Sequence, residues 1–139
     1  MSSLSLSAAV LAVLAQPVVA ASWDHGLSRG LETYRMAADG GSVLLACDPD
    51  RVYNLRQSSA HVRVAMPADL AAQRIVFLAA SGHQAAFDVR DGIATQAGAD
   101  PEAWSQLIDM IEEGGRVAVV TARDSFTLDL DPVPGFRCR

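Results

Sequence analysis

The sequence predicts a mainly β protein, an antiparallel β-sandwich with one α-helix at about residues 101–113, after a cleaved signal peptide. Three observations predict this fold. Short apolar or alternating runs, separated by turn residues, fill most of the chain from residue 33 to residue 130. A helical spacing of apolar side chains occurs at residues 101–113. The first twenty residues carry no charged side chain and surround an apolar run.

Residues 1–20 are interpreted as a signal peptide, although no Lys or Arg opens the segment. The apolar run of about 13 residues is short for a hydrocarbon core that needs about 20. Val18 and Ala20 are small residues at the positions that signal peptidase reads. We expect cleavage after Ala20 or Ala21, leaving residues 21–139 as a single secreted or periplasmic domain. A buried N-terminal helix and an uncleaved anchor are the alternatives.

Apolar runs predict the first strands. Residues 42–47 are nearly all apolar, which indicates a central strand that ends at Cys47. Residues 61–66 alternate, so we expect their apolar side chains to face inward and His61 and Arg63 to face outward. This strand is therefore half buried.

The middle of the chain predicts a hairpin. Residues 74–80 are apolar on both faces, and a turn at residues 81–82 leads into the alternating residues 84–90. A second turn at residues 91–92 favours positive φ and precedes a short strand at residues 93–96.

Residues 101–113 are predicted to form a helix across an end or edge of the sandwich. Asp100 is a good N-cap, Pro101 suits the first helical position, and a glycine pair ends the helix. Residues 116–122 and 126–130 then predict a closing hairpin. The apolar stripe of the helix consists of Trp104, Leu107, Ile108 and Ile111.

Cys47 and Cys138 are predicted to form a disulfide, because an even number of cysteines in an oxidising compartment favours pairing. The closed loop of about 90 residues corresponds to roughly 4–5 kcal/mol in the chain-entropy model. Residues 44–47 also match the pattern before a lipidated cysteine. We reject lipidation, since the charged stretch at residues 23–42 separates them from the apolar segment.

The charge of the chain argues against a nucleic-acid partner. The formal net charge is −5, and no basic patch is available to contact phosphates. Of the two tryptophans, Trp104 is assigned to the core. Trp23 is interpreted as an anchor for the mature N-terminus rather than an exposed binding residue.

Histidines and paired carboxylates are the candidates for chemistry. His25, His61 and His83 lack the spacing of a metal site and are interpreted as three separate surface histidines. The residues 48–50, with two aspartates, lack the remaining ligands of a calcium loop and are interpreted as a solvated turn. No residue is assigned a catalytic, cofactor-binding or metal-binding role, and no cofactor is expected.

Asp129 and Asp131 share the outer face of the last predicted strand, about 7 Å apart, as paired acids would. Carboxylates at such a position more often keep a sheet soluble. They are interpreted in that way.

Several features of the chain form a characteristic layout: Trp23, a strand ending in Cys47, a capped helix running into Gly115, a Val-rich strand, Phe126-x-Leu128, and Gly135-Phe136. This layout resembles small periplasmic proteins of the invasion-associated locus B type and the accessory proteins of type VI secretion systems. The resemblance implies a periplasmic β-sandwich without known enzyme chemistry, and it supplies no site residues.

We expect a non-enzymatic binding or accessory protein of the cell envelope, with another envelope protein as partner and no stable membrane insertion after cleavage. One alternative is a small envelope hydrolase that uses Asp129, Asp131 and one of the histidines. The other is an inhibitor of an envelope enzyme, in which residues 48–50 form a protruding loop.

Overall fold

The protein is described by a computed structural model that covers residues 22–57 and 59–138. The predicted signal peptide at residues 1–20 lies outside the described residues. The described part contains nine strands and one helix. In chain order these are β1 (Asp24–Ser28), β2 (Leu31–Ala38), β3 (Gly41–Cys47), β4 (Ala60–Ala65), β5 (Arg74–Ala79), β6 (Gln84–Asp88), β7 (Ile93–Thr95), α1 (Pro101–Glu113), β8 (Gly115–Val120) and β9 (Ser125–Leu130).

The strands form two antiparallel sheets, which confirms the predicted mainly β fold with one helix. The first sheet has five strands in the order β1-β2-β3-β4-β7, and the second has four in the order β6-β5-β8-β9. β3 lies at the centre of the first sheet, as predicted for residues 42–47. The pairs β5–β6 and β8–β9 are the two predicted hairpins.

A row of inward side chains shows how the first sheet builds the core. Tyr34 on β2 lies opposite Leu45 on β3, which lies opposite Val62 on β4, which in turn lies opposite Ala94 on β7. All four are buried in one hydrophobic core that includes side chains of the second sheet. The second sheet and its hairpins contribute Ile75, Phe77, Phe87, Val117, Val119, Phe126 and Leu128.

The sequence of β1 does not alternate between apolar and polar residues, and all five of its residues are exposed. β1 forms because its backbone pairs with the edge of β2 in an antiparallel register. Gly26 lies opposite Thr33, and the Thr33 hydroxyl donates a hydrogen bond of 3.2 Å to the Gly26 carbonyl oxygen. Pairing with a neighbouring strand, rather than burial of side chains, therefore determines β1.

Helix α1 has the predicted bounds and packs against β6, an edge strand of the second sheet. The Asp100 carboxylate caps it by accepting from the backbone N–H groups of Glu102 and Ala103 at 2.9 and 3.0 Å. Trp104 is buried, as predicted, and packs edge-to-face on Phe87 of β6 with ring centroids 6.2 Å apart. The apolar stripe thus fixes the helix to the edge of the sandwich.

The chain after β9 folds back onto the first sheet and is here called the tail (residues 131–138). The Cys47–Cys138 disulfide confirms the predicted pairing and joins the tail to the end of β3. Phe136 is buried against Tyr34, with ring centroids 4.7 Å apart. The Arg137 guanidinium donates to the carboxylates of Glu32 and Asp50. The tail is therefore held by a covalent bond, a buried ring and two ion pairs.

Candidate functional site

A groove of about 850 Å³ lies on the outer face of the five-stranded sheet. This volume is within the range of roughly 300–1,000 Å³ that is typical of ligand sites. Strands β3, β4 and β7 form the floor of the groove. One wall comes from the described residues between β3 and β4, residues 48–57 and 59, which we call the groove loop.

Strand register determines the floor of the groove. Ala46 on β3 lies opposite His61 on β4, and His61 lies opposite Thr95 on β7. These three positions face outward because the residues beside them in each strand face the core. Leu31 and Ile93 add apolar surface to the lining. A small side chain at the centre, Ala46, leaves the groove deep at that point.

The groove loop carries three large exposed apolar side chains, of which Tyr53 lines the groove. Val52, Tyr53 and Leu55 are 55%, 63% and 84% exposed, respectively. The Tyr53 hydroxyl donates a hydrogen bond to the carbonyl oxygen of Arg29, which lies in the turn between β1 and β2. The loop is therefore fixed against a neighbouring turn while its apolar side chains remain on the surface.

Asp48 determines the shape of the groove loop. Residues 49–50 form a turn with Asp50 exposed, as interpreted, but the interpretation of Asp48 as solvated is wrong. Asp48 is fully buried, and its two carboxylate oxygens accept hydrogen bonds of 2.7 Å from the backbone N–H groups of Val52 and Tyr53. The chain turns back on itself, so these N–H groups point at the carboxylate. Asp50, by contrast, is mostly exposed and pairs with Arg137.

The charge of Asp48 is stabilised by these contacts. Burial alone would raise the pKa of its carboxyl, but the backbone N–H groups of Tyr53, Val52 and Asn54 outweigh burial and lower the pKa. Asp48 is therefore ionised at neutral pH. The ionised form is the one that accepts all of these hydrogen bonds.

His61 places a titratable group in the groove. It is half-buried, and burial together with the charge of Arg63 lowers the pKa of its imidazole. The ring is therefore neutral at pH 7 and has one N–H donor and one acceptor nitrogen. Among the described residues, no hydrogen bond or ion pair involves this ring. The imidazole is thus available to a bound molecule.

A second cleft of about 380 Å³ lies between β1, β2 and the tail. Glu32 is at its centre: the Tyr34 hydroxyl donates to one carboxylate oxygen at 2.9 Å and Arg137 donates to the other. Burial and the Glu32 carboxylate raise the pKa of Tyr34 to about 12, so its hydroxyl remains a donor. His25 stacks on Tyr34 with centroids 4.4 Å apart. The Glu32 carboxylate is occupied in holding the tail.

The structure separates the three histidines. His25 lies on β1, His61 on β4, and His83 in the turn between β5 and β6. The ring nitrogens of His83 lie 2.5 Å from Gln106 Oε1 and 3.2 Å from Glu113 Oε1, so this histidine fastens the turn to α1. Within residues 22–57 and 59–138, no group of three or more His, Cys, Asp or Glu side chains is arranged to hold a metal ion.

The two acids considered for hydrolysis do not act as a pair. Asp129 makes an ion pair of 3.1 Å with Arg116 across the β8–β9 hairpin. Asp131 lies instead at the second cleft, which His25 also lines. Asp131 and His25 therefore line the same cleft. The Glu32 carboxylate in that cleft already accepts hydrogen bonds from Tyr34 and Arg137.

The groove itself does not follow from any single motif in the sequence. Its floor combines three strands, and its wall depends on the buried Asp48. One signal was available, because Val52, Tyr53 and Leu55 are bulky apolar residues in a segment with turn-forming neighbours. Such residues in a loop either pack inward or form a contact surface. Here they remain on the surface.

No family model matches the chain, and no curated protein or solved structure matches it either. The resemblance to the invasion-associated locus B type thus stays a prediction. A search of the described residues finds no helix that is long and apolar enough to cross a membrane.

Proposed function

We propose that this chain is a secreted or periplasmic, non-enzymatic binding or accessory protein of the cell envelope, and that it holds another envelope protein in the groove. The observation that carries the proposal is the groove itself, with the exposed Tyr53 in its lining and the exposed Val52 and Leu55 on the same loop. Large apolar side chains gain roughly 25 cal/mol for each Å² that a partner removes from water. This surface therefore favours a binding role.

The rigidity of the groove wall supports the same proposal. The groove loop is held at its start by the buried Asp48 carboxylate and by the disulfide of Cys47, and in its middle by the Tyr53 hydroxyl. A preformed wall loses little conformational entropy when a partner binds. The energy of burying its apolar side chains is then available for affinity.

The alternatives have less support from the contacts. A hydrolase would need a base beside His61, and no carboxylate lines the groove among the described residues. An inhibitor would need residues 48–50 to protrude, whereas Asp48 is buried and Asp50 is paired with Arg137. Asp48 holds the groove loop in shape, and Asp50 holds Arg137 of the tail.

The location in the envelope rests on the pattern of residues 1–20 and on the need of the Cys47–Cys138 bond for an oxidising compartment. Mass spectrometry of the protein recovered from an envelope fraction, without reductant, tests it. We expect a chain that begins after Ala20 or Ala21 and contains no free thiol. An intact Met1 would overturn the proposed cleavage.

Site-specific photocrosslinking tests the binding role. We place p-benzoylphenylalanine at Ala97, which lines the groove, and, as a control, at Ala122, an exposed residue in the β8–β9 turn. Irradiation of intact cells is expected to give a discrete adduct with another envelope protein from Ala97 and none from Ala122. Equal labelling from both positions, or no adduct from Ala97, would contradict the role of the groove.

A further inference from the structure

We infer that the groove binds an extended, uncharged, apolar segment of a partner polypeptide, laid across the face of the sheet. This inference rests on the proposed function and specifies the chemistry of the partner. It follows from the absence of charge in the lining, from the neutral polar groups in it, and from the hydrogen bonds at the adjacent sheet edge.

The lining carries no fixed charge. Charged residues make up 19% of the sequence, yet no Asp, Glu or Arg is among the described residues that line the groove. The one side chain in it that titrates near neutral pH, His61, is held in its neutral form by its surroundings. A charged group entering the groove would lose hydration, and the charge of Arg63, which acts on His61, comes from a residue outside the lining. The lining therefore selects an uncharged occupant.

Neutral polar groups are distributed among the apolar ones. His61, Gln57, Ser59, Thr95 and Gln96 supply both donors and acceptors along the groove. A hydrocarbon chain would cover these groups and leave them without hydrogen bonds, at a cost for each one. The amide groups of a polypeptide alternate donors and acceptors and can satisfy them. The mixture thus favours a peptide segment over a lipid acyl chain.

The neighbouring sheet edge indicates how such a segment lies. At β7 the Ile93 N–H and carbonyl groups are both hydrogen-bonded to Arg90, at 2.9 and 3.1 Å, and the Thr95 carbonyl accepts from Gly98. These bonds occupy three of the backbone groups that an added strand would use: both groups of Ile93 and the carbonyl of Thr95. The partner therefore crosses the outer face and contacts side chains, including the exposed Tyr53, rather than extending the sheet.

A pair of isosteric peptides tests the inference. The probes are acetyl-Leu-Phe-Gln-Leu-Phe-amide and the same peptide with Glu in place of Gln, which differ only in charge. We titrate each into the isotope-labelled protein and follow backbone amide signals by NMR. We expect the neutral peptide to shift the signals of Ala46, Tyr53 and Thr95 and to bind at least about tenfold more tightly than the charged one.

Variants of the groove provide the control. Ala97→Trp fills the groove and should weaken the neutral peptide at least about tenfold, whereas Ala122→Trp should leave its affinity unchanged. Circular dichroism checks that both variants are folded. If Ala97→Trp fails to fold, the location of the shifts in the unaltered protein still decides the question.

Three results would overturn the inference: equal or tighter binding of the charged peptide, no binding of either at millimolar concentration, or groove shifts produced instead by phosphatidylcholine vesicles. The proposed function is judged separately. A groove-specific adduct from Ala97 combined with failure of the peptides would retain the binding role and reject the apolar segment. Absence of that adduct would reject the binding role whatever the peptides do.

Discussion

The groove loop and the tail both lack regular secondary structure, and both begin or end at the Cys47–Cys138 disulfide, yet they treat apolar side chains in opposite ways. The tail buries its aromatic residue, since Phe136 is 4% exposed. The groove loop leaves Leu55 84% exposed and relies on a buried carboxylate, Asp48, to hold its shape. Anchoring a loop through polar groups leaves its apolar residues available for a partner.

The largest expected effect comes from the bond that both segments share. Replacing Cys47→Ser together with Cys138→Ser should lower the free energy of unfolding by about 2–5 kcal/mol, because the unfolded chain is no longer constrained. Urea denaturation measures this loss. The unaltered protein in the presence of reductant is the control and should match the double variant. An unchanged free energy of unfolding would show that the two segments are held without the disulfide.

Truncating one apolar side chain in each segment tests the comparison directly. Phe136→Ala should cost about 3 kcal/mol, since it leaves a cavity against Tyr34. Leu55→Ala should change stability by less than about 0.5 kcal/mol, because its side chain is largely in water already. Both values come from urea denaturation. Similar losses for the two variants would mean that the groove loop depends on apolar packing as the tail does.

Asp48→Asn should loosen the groove loop in a pH-dependent way, with a smaller effect than the loss of the disulfide or of the Phe136 ring. The pKa of Asp48 in the folded protein lies below the ordinary value of about 3.9. Its ionised form therefore stabilises the fold above that value, and the contribution is lost as the pH falls through the folded pKa. Thermal melts should differ most at pH 7 and converge only once the pH has fallen below the folded pKa of Asp48. A difference that does not vary with pH would exclude the charge as the cause.

The pKa of His61 reports whether the loop covers the groove, and its change is the smallest effect expected. Burial is the main cause that lowers this pKa below the usual value near 6.5. In Asp48→Asn the loosened loop should leave the His61 imidazole more exposed, so its pKa should lie closer to 6.5. NMR of the ring protons measures this pKa. In Phe136→Ala it should keep its value. If the pKa of His61 rises in Phe136→Ala instead, the tail rather than the groove loop buries the imidazole.

Local sequence patterns were sufficient to predict the elements whose structure depends on their own residues. The alternation at Val62 and Val64 predicts β4, and the Asp100 cap with the spacing of Trp104 and Leu107 predicts α1. β1 is different, because its polar residues become a strand through pairing with β2. The information that specifies it lies in another strand.

The groove could not be predicted for a related reason. Whether Asp48 is solvated depends on where the N–H groups of Val52 and Tyr53 point after the chain turns. The floor depends on a register that aligns Ala46, His61 and Thr95 from three strands. The disulfide was predictable because an even number of cysteines, together with a predicted signal peptide, favours pairing.

The position of α1 along β6 has a consequence for the behaviour of the protein at high concentration. β6 hydrogen-bonds to β5 on one side only, and α1 packs against it through Trp104 and Phe87. If α1 detached, the unpaired backbone of β6 would be open to a strand from another molecule. A helix packed beside an edge strand is one way in which proteins protect that edge from pairing with another chain.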